Sequence, residues 1–175
     1  MKQKVLLASN NAHKIKEIRA ILGDFFDIVS LREAGVESDP EETGKTFEEN
    51  ARIKAVAGMK ASGMPCIADD SGLEVLSLDC RPGVMSARYS GSHGDDAANN
   101  EKLLAELADK PDRSARYVCV ICMAFPDGRE LEARGECYGE ILKEKRGNGG
   151  FGYDPLFYFP QFGKTFAEIS AEEKN

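Results

Sequence analysis

The sequence predicts an α/β fold with a mixed β-sheet, and three observations indicate this class. Apolar strand-like runs alternate with amphipathic helical segments in the first half of the chain, and strands joined by tight turns prevail in the second half. Residues 115–125 are apolar on both alternating faces, as in a central strand that is covered on both sides. The 175 residues fit a single domain over 1–175.

The first half begins with a predicted strand over 4–9, a helix over 13–22 and a second strand over 26–30. A polar, acidic loop follows over 31–43. The sequence TFEE at 46–49 matches a capping box and predicts a helix that extends to about Ala61. Residues 66–69 are predicted as a short strand that ends in two carboxylates, and 73–78 as a strand that pairs beside it in a hairpin.

In the second half, a turn at 81–83 and a short ordered segment over 84–92 lead to a helix that Asp96 caps and that extends through Ala108. The central strand over 115–125 turns at Pro-Asp-Gly, 126–128, into a hairpin strand over 130–136. Further strands are predicted over 138–143 and 156–159. This half is therefore rich in hairpins.

Charge and composition exclude several classes of function. The net charge of −7 is the opposite of the basic surface that a polynucleotide-binding protein presents. The apolar runs are shorter than the ~20 residues that span a membrane. Only residues 5–8 are apolar after the basic start, which is too few for a signal peptide. These features predict a cytoplasmic protein with neither a polynucleotide nor a membrane as partner.

The five cysteines predict buried, reduced thiols, because their number is odd and three of them lie in apolar runs. Cys119 and Cys122 match C-x-x-C, but they lie in a predicted strand, where residues three apart face opposite sides. Since no second pair completes a zinc site, we expect neither a metal nor a redox role for them.

Three glycine motifs resemble phosphate loops but have the wrong context. Gly-Lys-Thr occurs at 44–46 and 163–165, yet a Walker A loop needs a glycine five residues earlier, where Asp39 and Tyr158 stand. Residues 147–152 match G-x-G-x-x-G, but they continue into an extended segment and do not open a helix. We therefore expect neither a Walker A loop nor a dinucleotide-binding fold.

Adjacent carboxylates at Asp69 and Asp70, at the end of the apolar run CIADDSGL, are the first candidates for chemistry. A divalent metal bound to a phosphate commonly uses such acid. On a regular strand the two side chains point to opposite sides, so only one enters a site unless the backbone twists at 71–72. The alternative is a hydrated strand end with Asp69 as a turn cap.

Three further segments offer complementary chemistry, and each has a purely structural alternative. The polar turn at 9–14 either caps a helix or holds a phosphate on its free N–H groups. Glu41-Glu42 is either surface charge or a second carboxylate for the metal. Phe151 and Tyr153, in a glycine-rich loop, either anchor that loop or lie flat on a ligand. Together, acid, lysine and an aromatic ring suggest a nucleoside triphosphate site.

Five segments closely resemble, in order and spacing, the inosine triphosphate pyrophosphatase family: SNNAHKIKEI, EETGKTFEENA, ADDSGL, PGVMSARYSG and GGFGYDP. The closing GKTFAEISAEEKN continues the match over essentially the whole chain. The resemblance implies an elongated mixed β-sheet with flanking helices and two lobes around a deep central cleft, usually in a homodimer. It also implies hydrolysis of ITP, dITP and XTP, with Mg²⁺, to the nucleoside monophosphate and pyrophosphate.

The resemblance assigns roles to residues of this chain as well. Asp70 is expected to be the catalytic base, and Asp70 with Glu41 or Glu42 is expected to hold the metal. The expected substrate contacts are Ser9, Asn10, Asn11, Ala12, His13, Lys14, Lys54 and Ser71. Phe151, Gly152, Tyr153 and Asp154 are expected at the base and sugar, and Lys174 near the purine.

The sequence departs from the family at its end. There, a Ser-His-Arg segment and a last helix follow the lysine that Lys174 matches, whereas this sequence stops at Asn175. Ser170 and Glu173 form a capping-box pattern with only two residues after it. We therefore expect that a C-terminal helix is missing. The alternative functions are a nucleotide-binding module or a pyrophosphatase of broader specificity, inactive or unselective without that segment.

Overall fold

The computed structural model describes residues 2–174, which form a mixed α/β structure. The strands are β1 (Gln3–Leu7), β2 (Phe26–Ser30), β3 (Cys66–Val75), β4 (Arg81–Pro82), β5 (Ser114–Ala124), β6 (Glu130–Ile141), β7 (Phe157–Phe159) and β8 (Lys164–Thr165). The α-helices are α1 (Ala12–Leu22), α2 (Leu31–Ala34), α3 (Phe47–Ser62), α4 (Asp96–Glu106) and α5 (Ala171–Lys174). Short 3₁₀ helices occupy Leu76–Leu78, Gly83–Arg88 and Phe166–Glu168.

The strands form one sheet in the order β2-β1-β3-β5-β6-β7-β8, and β4 pairs with β3 off this path. Strand β1 is parallel to β2 and to β3, whereas the β3–β4, β6–β7 and β7–β8 pairs are antiparallel. The predicted α/β class with a mixed sheet is therefore confirmed. No helix within residues 2–174 is both long and apolar enough to cross a membrane.

The chain divides into two compact units. The first unit comprises Met1–Asp70 and Cys119–Arg134, and the second comprises Ser71–Val118 and Gly135–Asn175. The expected cleft between two lobes concerns the arrangement of such units and stays a prediction.

The first unit has an apolar cluster on each face of its parallel strands. The cluster that includes Ile18 of α1 contains Ile67, whereas the cluster beside α2 and α3 contains Cys66. Successive residues of β3 thus belong to opposite clusters, as the two-residue period of a strand requires. Helix α3 packs closely on its face, because a Cβ atom on Gly58 would lie 2.6 Å from the Cys66 Sγ.

The second unit has its own core, built mostly from large side chains. The rings of Tyr117, Phe157 and Phe166 contact one another, with centroid distances of 4.7–5.6 Å. Leu103 and Leu107, at and just beyond the end of α4, are fully buried in the same core. This core supports the glycine-rich loop that follows β6.

Several predicted elements need correction. The predicted hairpin at 66–78 is wrong, because β3 is one continuous strand and the antiparallel partner of its end is β4. Helix α2 interrupts the predicted loop over 31–43. Strand β6 is also continuous through Cys137. The residue that caps α4 is Asp95, whose side chain accepts from the Ala98 N–H.

Candidate active site

The two adjacent aspartates lie in the middle of β3 and point to opposite faces of the sheet. Both are 7 % exposed. Asp69 contacts Lys14 of α1, and Asp70 contacts Lys54 of α3. The backbone does not need to twist at 71–72 for both carboxylates to be used, since the strand offers one to each face.

On the α1 face, the Lys14 Nζ donates to the Asp69 Oδ2 at 2.5 Å. The lysine side chain is 24 % exposed and the aspartate side chain 7 %. An ion pair of this kind holds the ammonium in one place while part of it stays open to solvent. Because an ammonium has three N–H donors, Lys14 retains donors for a further anion.

The backbone before Lys14 is arranged by Asn11, which caps α1. Its Oδ1 accepts from the Lys14 N–H at 3.3 Å, and its N–H donates to the Ser9 Oγ at 3.1 Å. The structural interpretation of the 9–14 segment as a helix cap therefore holds. Asn10, Asn11 and Ala12 are exposed, so the same turn is also open to a ligand.

On the α3 face, Lys54 joins two carboxylates. Its Nζ lies 3.0 Å from the Asp70 Oδ1 and 2.9 Å from the Glu42 Oε1. The Lys54 side chain is only 16 % exposed, although a lysine on a helix is usually a solvated surface residue. Burial works against its charge, but the two carboxylates outweigh this effect and raise the pKa of Lys54.

Asp70 is the group with the most unusual environment. Burial raises the pKa of its carboxyl group, although the nearby Lys54 ammonium acts in the opposite direction. Its Oδ2 is buried and has no hydrogen-bond partner within residues 2–174. A buried carboxylate with an unused oxygen is costly for folding, which is typical of a group kept for a ligand or for proton transfer.

The acidic loop that carries Glu42 is fixed to α3 by Asn50. The Asn50 Oδ1 accepts from the Gly44 N–H at 2.9 Å. The Asn50 side chain also lowers the pKa of Asp70, yet its Nδ2 reaches no acceptor at hydrogen-bond geometry, so the two groups are close neighbours and not bonded partners. Asn50 was not among the predicted site residues, although it stands four positions before Lys54, a spacing that places both on one side of a helix.

Glu41 and Glu42 differ clearly in position. Glu42 is partly buried against Lys54, whereas the side chain of Glu41 is exposed and its backbone oxygen accepts from the Thr43 N–H. Within residues 2–174 no three His, Cys, Asp or Glu side chains are grouped closely enough to hold a metal alone. Glu42 and the free Asp70 oxygen instead fit a hard cation that also binds water and phosphate oxygens.

The second unit contains the glycine-rich loop over 149–154. The Asp154 carboxylate, 1 % exposed, accepts from the Phe151 N–H at 3.0 Å and from the Tyr117 hydroxyl at 3.1 Å. A Cβ atom on Gly150, whose φ is +73°, would lie 2.3 Å from the Asp154 Oδ2, so only glycine fits there. Asp154 is therefore occupied in shaping the loop.

Tyr153 is also occupied inside the second unit, because its buried hydroxyl donates to the Ser86 carbonyl at 2.8 Å. Phe151 and Gly152 are partly exposed. Helix α4 holds the loop from one side: the Asp96 Oδ2 accepts from the Gly152 N–H at 2.7 Å, and the Asn100 Nδ2 donates to the Gly152 carbonyl at 2.8 Å. Asp96 and Asn100 were missed as loop supports, although their spacing places them on one side of α4.

The remaining predicted residues are less well defined. Ser71 follows Asp70 in β3, is partly exposed and lies in the second unit. The side chains of His13 and Lys174 lie outside the described part of the structure. Their predicted contacts with the triphosphate and the purine therefore stay predictions.

Comparison with known proteins identifies close relatives. The model of the Ham1 family matches residues 5–175. The chain is 56 % identical over 172 residues to the dITP/XTP pyrophosphatase of Desulfotalea psychrophila, covering 98 % of this chain and 77 % of the relative. It is 52 % identical to the dITP/XTP pyrophosphatase of Clostridium perfringens, covering 99 % and 89 %. The structure of the Staphylococcus aureus Ham1 protein is similar with a TM-score of 0.90 and 46 % identity, covering 98 % of this chain and 89 % of that one.

Proposed function

This chain belongs to the Ham1 family, and we propose that it hydrolyses the non-standard purine nucleoside triphosphates dITP, XTP and ITP to the monophosphate and pyrophosphate. The resemblance found in the sequence is thereby confirmed at the level of the family. The observation that carries the proposal is the pair of aspartates of β3, each joined to a lysine, with one oxygen of Asp70 left without a partner.

The residues fit Mg²⁺ as the cofactor. Mg²⁺ prefers oxygen ligands and usually takes only one or two carboxylates, with water and substrate phosphates completing its octahedron. Glu42 and Asp70 supply such carboxylates from a loop and a rigid strand. Bound there, Mg²⁺ would neutralise phosphate charge and lower the pKa of a coordinated water.

Lys14 is the residue that we assign to the triphosphate. Asp69 occupies one of its donors and fixes its position, and the remaining donors are available to phosphate oxygens. The start of α1 adds the favourable end of a helix dipole for the same charge. Phosphoryl chemistry depends mainly on positioning and charge neutralisation, and we assign the Lys14 contact chiefly to the binding of the triphosphate.

Asp70 is the residue that we assign to the water. Burial raises its pKa, which makes its carboxylate a stronger base than an exposed aspartate. In the proposed step, the Asp70 Oδ2 accepts a proton from the water that attacks at the linkage between the α and β phosphates. As the water oxygen bonds to the α-phosphorus, the bond from that phosphorus to the oxygen bridging the α and β phosphates breaks, and pyrophosphate leaves with the bridging oxygen. Lys54 stays paired with Glu42 and Asp70, and its positive charge offsets the negative charges of these two neighbouring carboxylates.

The loop around Phe151 is the proposed contact for the base. Phe151 is partly exposed and carries an aromatic ring suited to stacking, and the backbone beside it is held by α4. Hypoxanthine and xanthine present an oxygen at position 6, where adenine presents an amino group. A site that donates hydrogen bonds to this oxygen would discriminate against adenine by factors of ~10⁴, because its buried donors would otherwise stay unpaired.

Product analysis tests the proposed function. The purified chain is incubated with dITP, XTP, dATP or dGTP and Mg²⁺, and the products are separated by ion-exchange chromatography. The expected result is monophosphate and pyrophosphate from dITP and XTP, with loss of activity on chelation and recovery on addition of Mg²⁺. Release of a nucleoside diphosphate and orthophosphate would refute the proposal.

The same panel separates the alternative functions. Similar turnover of dATP and dITP would indicate a pyrophosphatase of broader specificity, and binding without turnover would indicate a nucleotide-binding module. A homodimer and a cytoplasmic location stay predictions, which size-exclusion chromatography with light scattering and cell fractionation would test.

A further inference from the structure

Asn50 occupies a central position on the α3 face of the candidate site. It is fully buried, with 0 % exposure, and lies one helical turn before Lys54. Residues four apart on a helix share one side, so Asn50 and Lys54 both face the Asp70 region of β3. A fully buried asparagine is unusual unless its polar atoms are used.

The orientation of the Asn50 amide follows from its partner. The Gly44 N–H can only donate, so the atom that it meets at 2.9 Å must be the amide oxygen. This fixes which end of the side chain is oxygen and which is nitrogen. The Nδ2 therefore points away from Gly44, and within residues 2–174 it has no acceptor.

The contact between Asn50 and Gly44 is tightly built. A Cβ atom at position 44 would lie 2.5 Å from the Asn50 Oδ1 and 2.7 Å from the Glu49 Cβ, so residue 44 has no room for a side chain. Gly44 is two residues after Glu42, which reaches Lys54 at 2.9 Å. The Asn50 oxygen thus anchors the segment that presents Glu42.

The amide nitrogen of Asn50, a hydrogen-bond donor, has the acceptor oxygen of Asp70 as a neighbour. Asp70 has a buried oxygen without a partner, and Asn50 has a buried N–H₂ group without one. One is an acceptor and the other a donor, and both belong to the same group of side chains around Lys54. Unsatisfied buried groups are rare, and a complementary pair beside a reactive carboxylate is best explained by use during the reaction.

We propose that Asn50 is a positioning residue of this site: its amide oxygen fixes the segment that carries Glu42, and its amide nitrogen orients the Asp70 carboxylate. The inference rests on the proposed function for its kinetic part only. Small adjustments that accompany substrate binding would bring the Nδ2 and Oδ2 atoms to hydrogen-bond distance. A carboxylate oxygen has two lone pairs, so Oδ2 would accept from Nδ2 with one and from the attacking water with the other. Asn50 would thereby set the direction in which Oδ2 meets this water.

Two variants distinguish the role of the Asn50 amide oxygen from that of its amide nitrogen. Asn50→Asp keeps an oxygen for the Gly44 N–H but replaces the donor with an oxygen that repels Asp70. Asn50→Ala removes both ends. Asn99→Ala is the matched control, because Asn99 is a buried helical asparagine, 2 % exposed, whose Oδ1 accepts from the Ser90 N–H at 2.7 Å in the second unit.

The first readout is the hydrogen-exchange rate of the Gly44 amide, measured by NMR without nucleotide or metal. Asn50→Ala should speed it by roughly fivefold or more, which corresponds to the ~1 kcal/mol of one hydrogen bond. Asn50→Asp should leave it within about twofold of the wild type, since the acceptor oxygen is retained.

The second readout is steady-state kinetics with dITP at a temperature where melting curves show each variant to be folded. Both Asn50 variants should lower kcat by about tenfold or more, with a smaller change in KM, because the triphosphate contact of Lys14 is untouched. Asn99→Ala should lower the melting temperature and leave kcat within about twofold.

Either of two results would overturn the proposal: a kcat of Asn50→Asp within about twofold of the wild type, or an unchanged Gly44 exchange rate in Asn50→Ala. If Asn50→Ala does not fold, Asn50→Asp alone tests the proposal. The proposal then requires that this variant keep slow hydrogen exchange at the Gly44 amide and have a lowered kcat. A wild-type protein that releases no pyrophosphate would refute the proposed function instead. The Gly44 exchange rate would still test the anchoring role of Asn50.

Discussion

Replacing Asp69 by asparagine should raise the KM for dITP more than it lowers kcat. Asp69 is nearly buried in β3 and accepts from the Lys14 Nζ at 2.5 Å, and the lysine remains 24 % exposed. Asparagine keeps the shape of the side chain but removes the charge that holds the ammonium. The lysine then samples other rotamers before the triphosphate arrives.

The size of the expected loss in binding follows from the way the ion pair with Asp69 fixes the Lys14 ammonium before substrate binds. A free lysine side chain carries about 2 kcal/mol of rotamer entropy, part of which is lost when its ammonium is fixed on a phosphate. Solvent reaches the lysine and weakens the pair, so the pre-organisation is smaller than for a fully buried pair. We expect a loss of about 1–2 kcal/mol in binding, or roughly a 5- to 30-fold higher KM.

The assay combines kinetics with the binding of inorganic triphosphate, which lacks base and sugar. Both the KM for dITP and the Kd for inorganic triphosphate should rise in Asp69→Asn by similar factors. Asp127→Asn is a suitable control, because its ion pair with Arg129 is largely exposed and is expected to change neither constant. A lower KM in Asp69→Asn would contradict the reasoning, since it would mean that Asp69 competes with substrate for Lys14.

Three further predictions concern other residues. Asp70→Asn should nearly abolish kcat while the protein stays folded, as circular dichroism would verify; full activity would show that the wrong carboxylate was chosen. Phe151→Ala should weaken binding of dITP by roughly 1–3 kcal/mol in calorimetry but leave inorganic triphosphate unaffected, and equal losses would make the ring merely structural. Glu33 has a pKa lowered from 4.5 to about 2, mainly by the Ser30 N–H. A lowered carboxyl pKa stabilises the fold above pH 4.5, and this stabilisation is lost as the pH falls towards 2. Glu33→Gln should therefore lower the melting temperature at pH 7. Near pH 2 its melting temperature should match that of the wild type.

Local patterns in the sequence were sufficient where one periodicity dominates. The strand at 26–30 and the helix that begins after Thr46 follow from apolar spacing and a capping residue, and both occur as predicted. The hairpin turn at 126–128 also forms, with the Gly128 N–H donating to the Phe125 carbonyl. In each case the signal lies within a few neighbouring residues, so no distant contact is needed to predict the element.

The continuity of β3 could not be predicted in the same way. Ser71 and Gly72 usually mark a turn, yet here they remain extended within β3, which pairs with β1 before them and with β4 after them. The same long-range pairing places Asp69 and Asp70 inside the strand. Their lysine partners come from positions 55 and 16 residues away, which no local pattern reveals.

The loop at 149–154 shows a second limit. Its composition predicted a contact with the base, and the partly exposed Phe151 is compatible with that. The sequence left open whether Tyr153 anchors the loop, as it does, and did not show that Asp154 would be hydrogen-bonded inside the unit. A motif identifies residues that act together, but it does not separate those that touch a ligand from those that hold the loop.

The alternation of β3 offers a physical reason for two adjacent aspartates in such a site. One strand places Asp69 beside α1 and Asp70 beside α3, so each carboxylate has its own lysine and its own task. The pairing neutralises charge that would otherwise make two neighbouring buried carboxylates mutually destabilising. Exchange of the two roles is not possible without a one-residue shift of the strand, which would turn both side chains to the wrong face. A single alanine inserted between Ala68 and Asp69 tests this, because it would place alanine opposite Lys14 and Asp69 opposite Lys54 if the rest of β3 shifts by one residue. The insertion should therefore raise the KM for dITP, as Asp69→Asn does, and leave more kcat than Asp70→Asn.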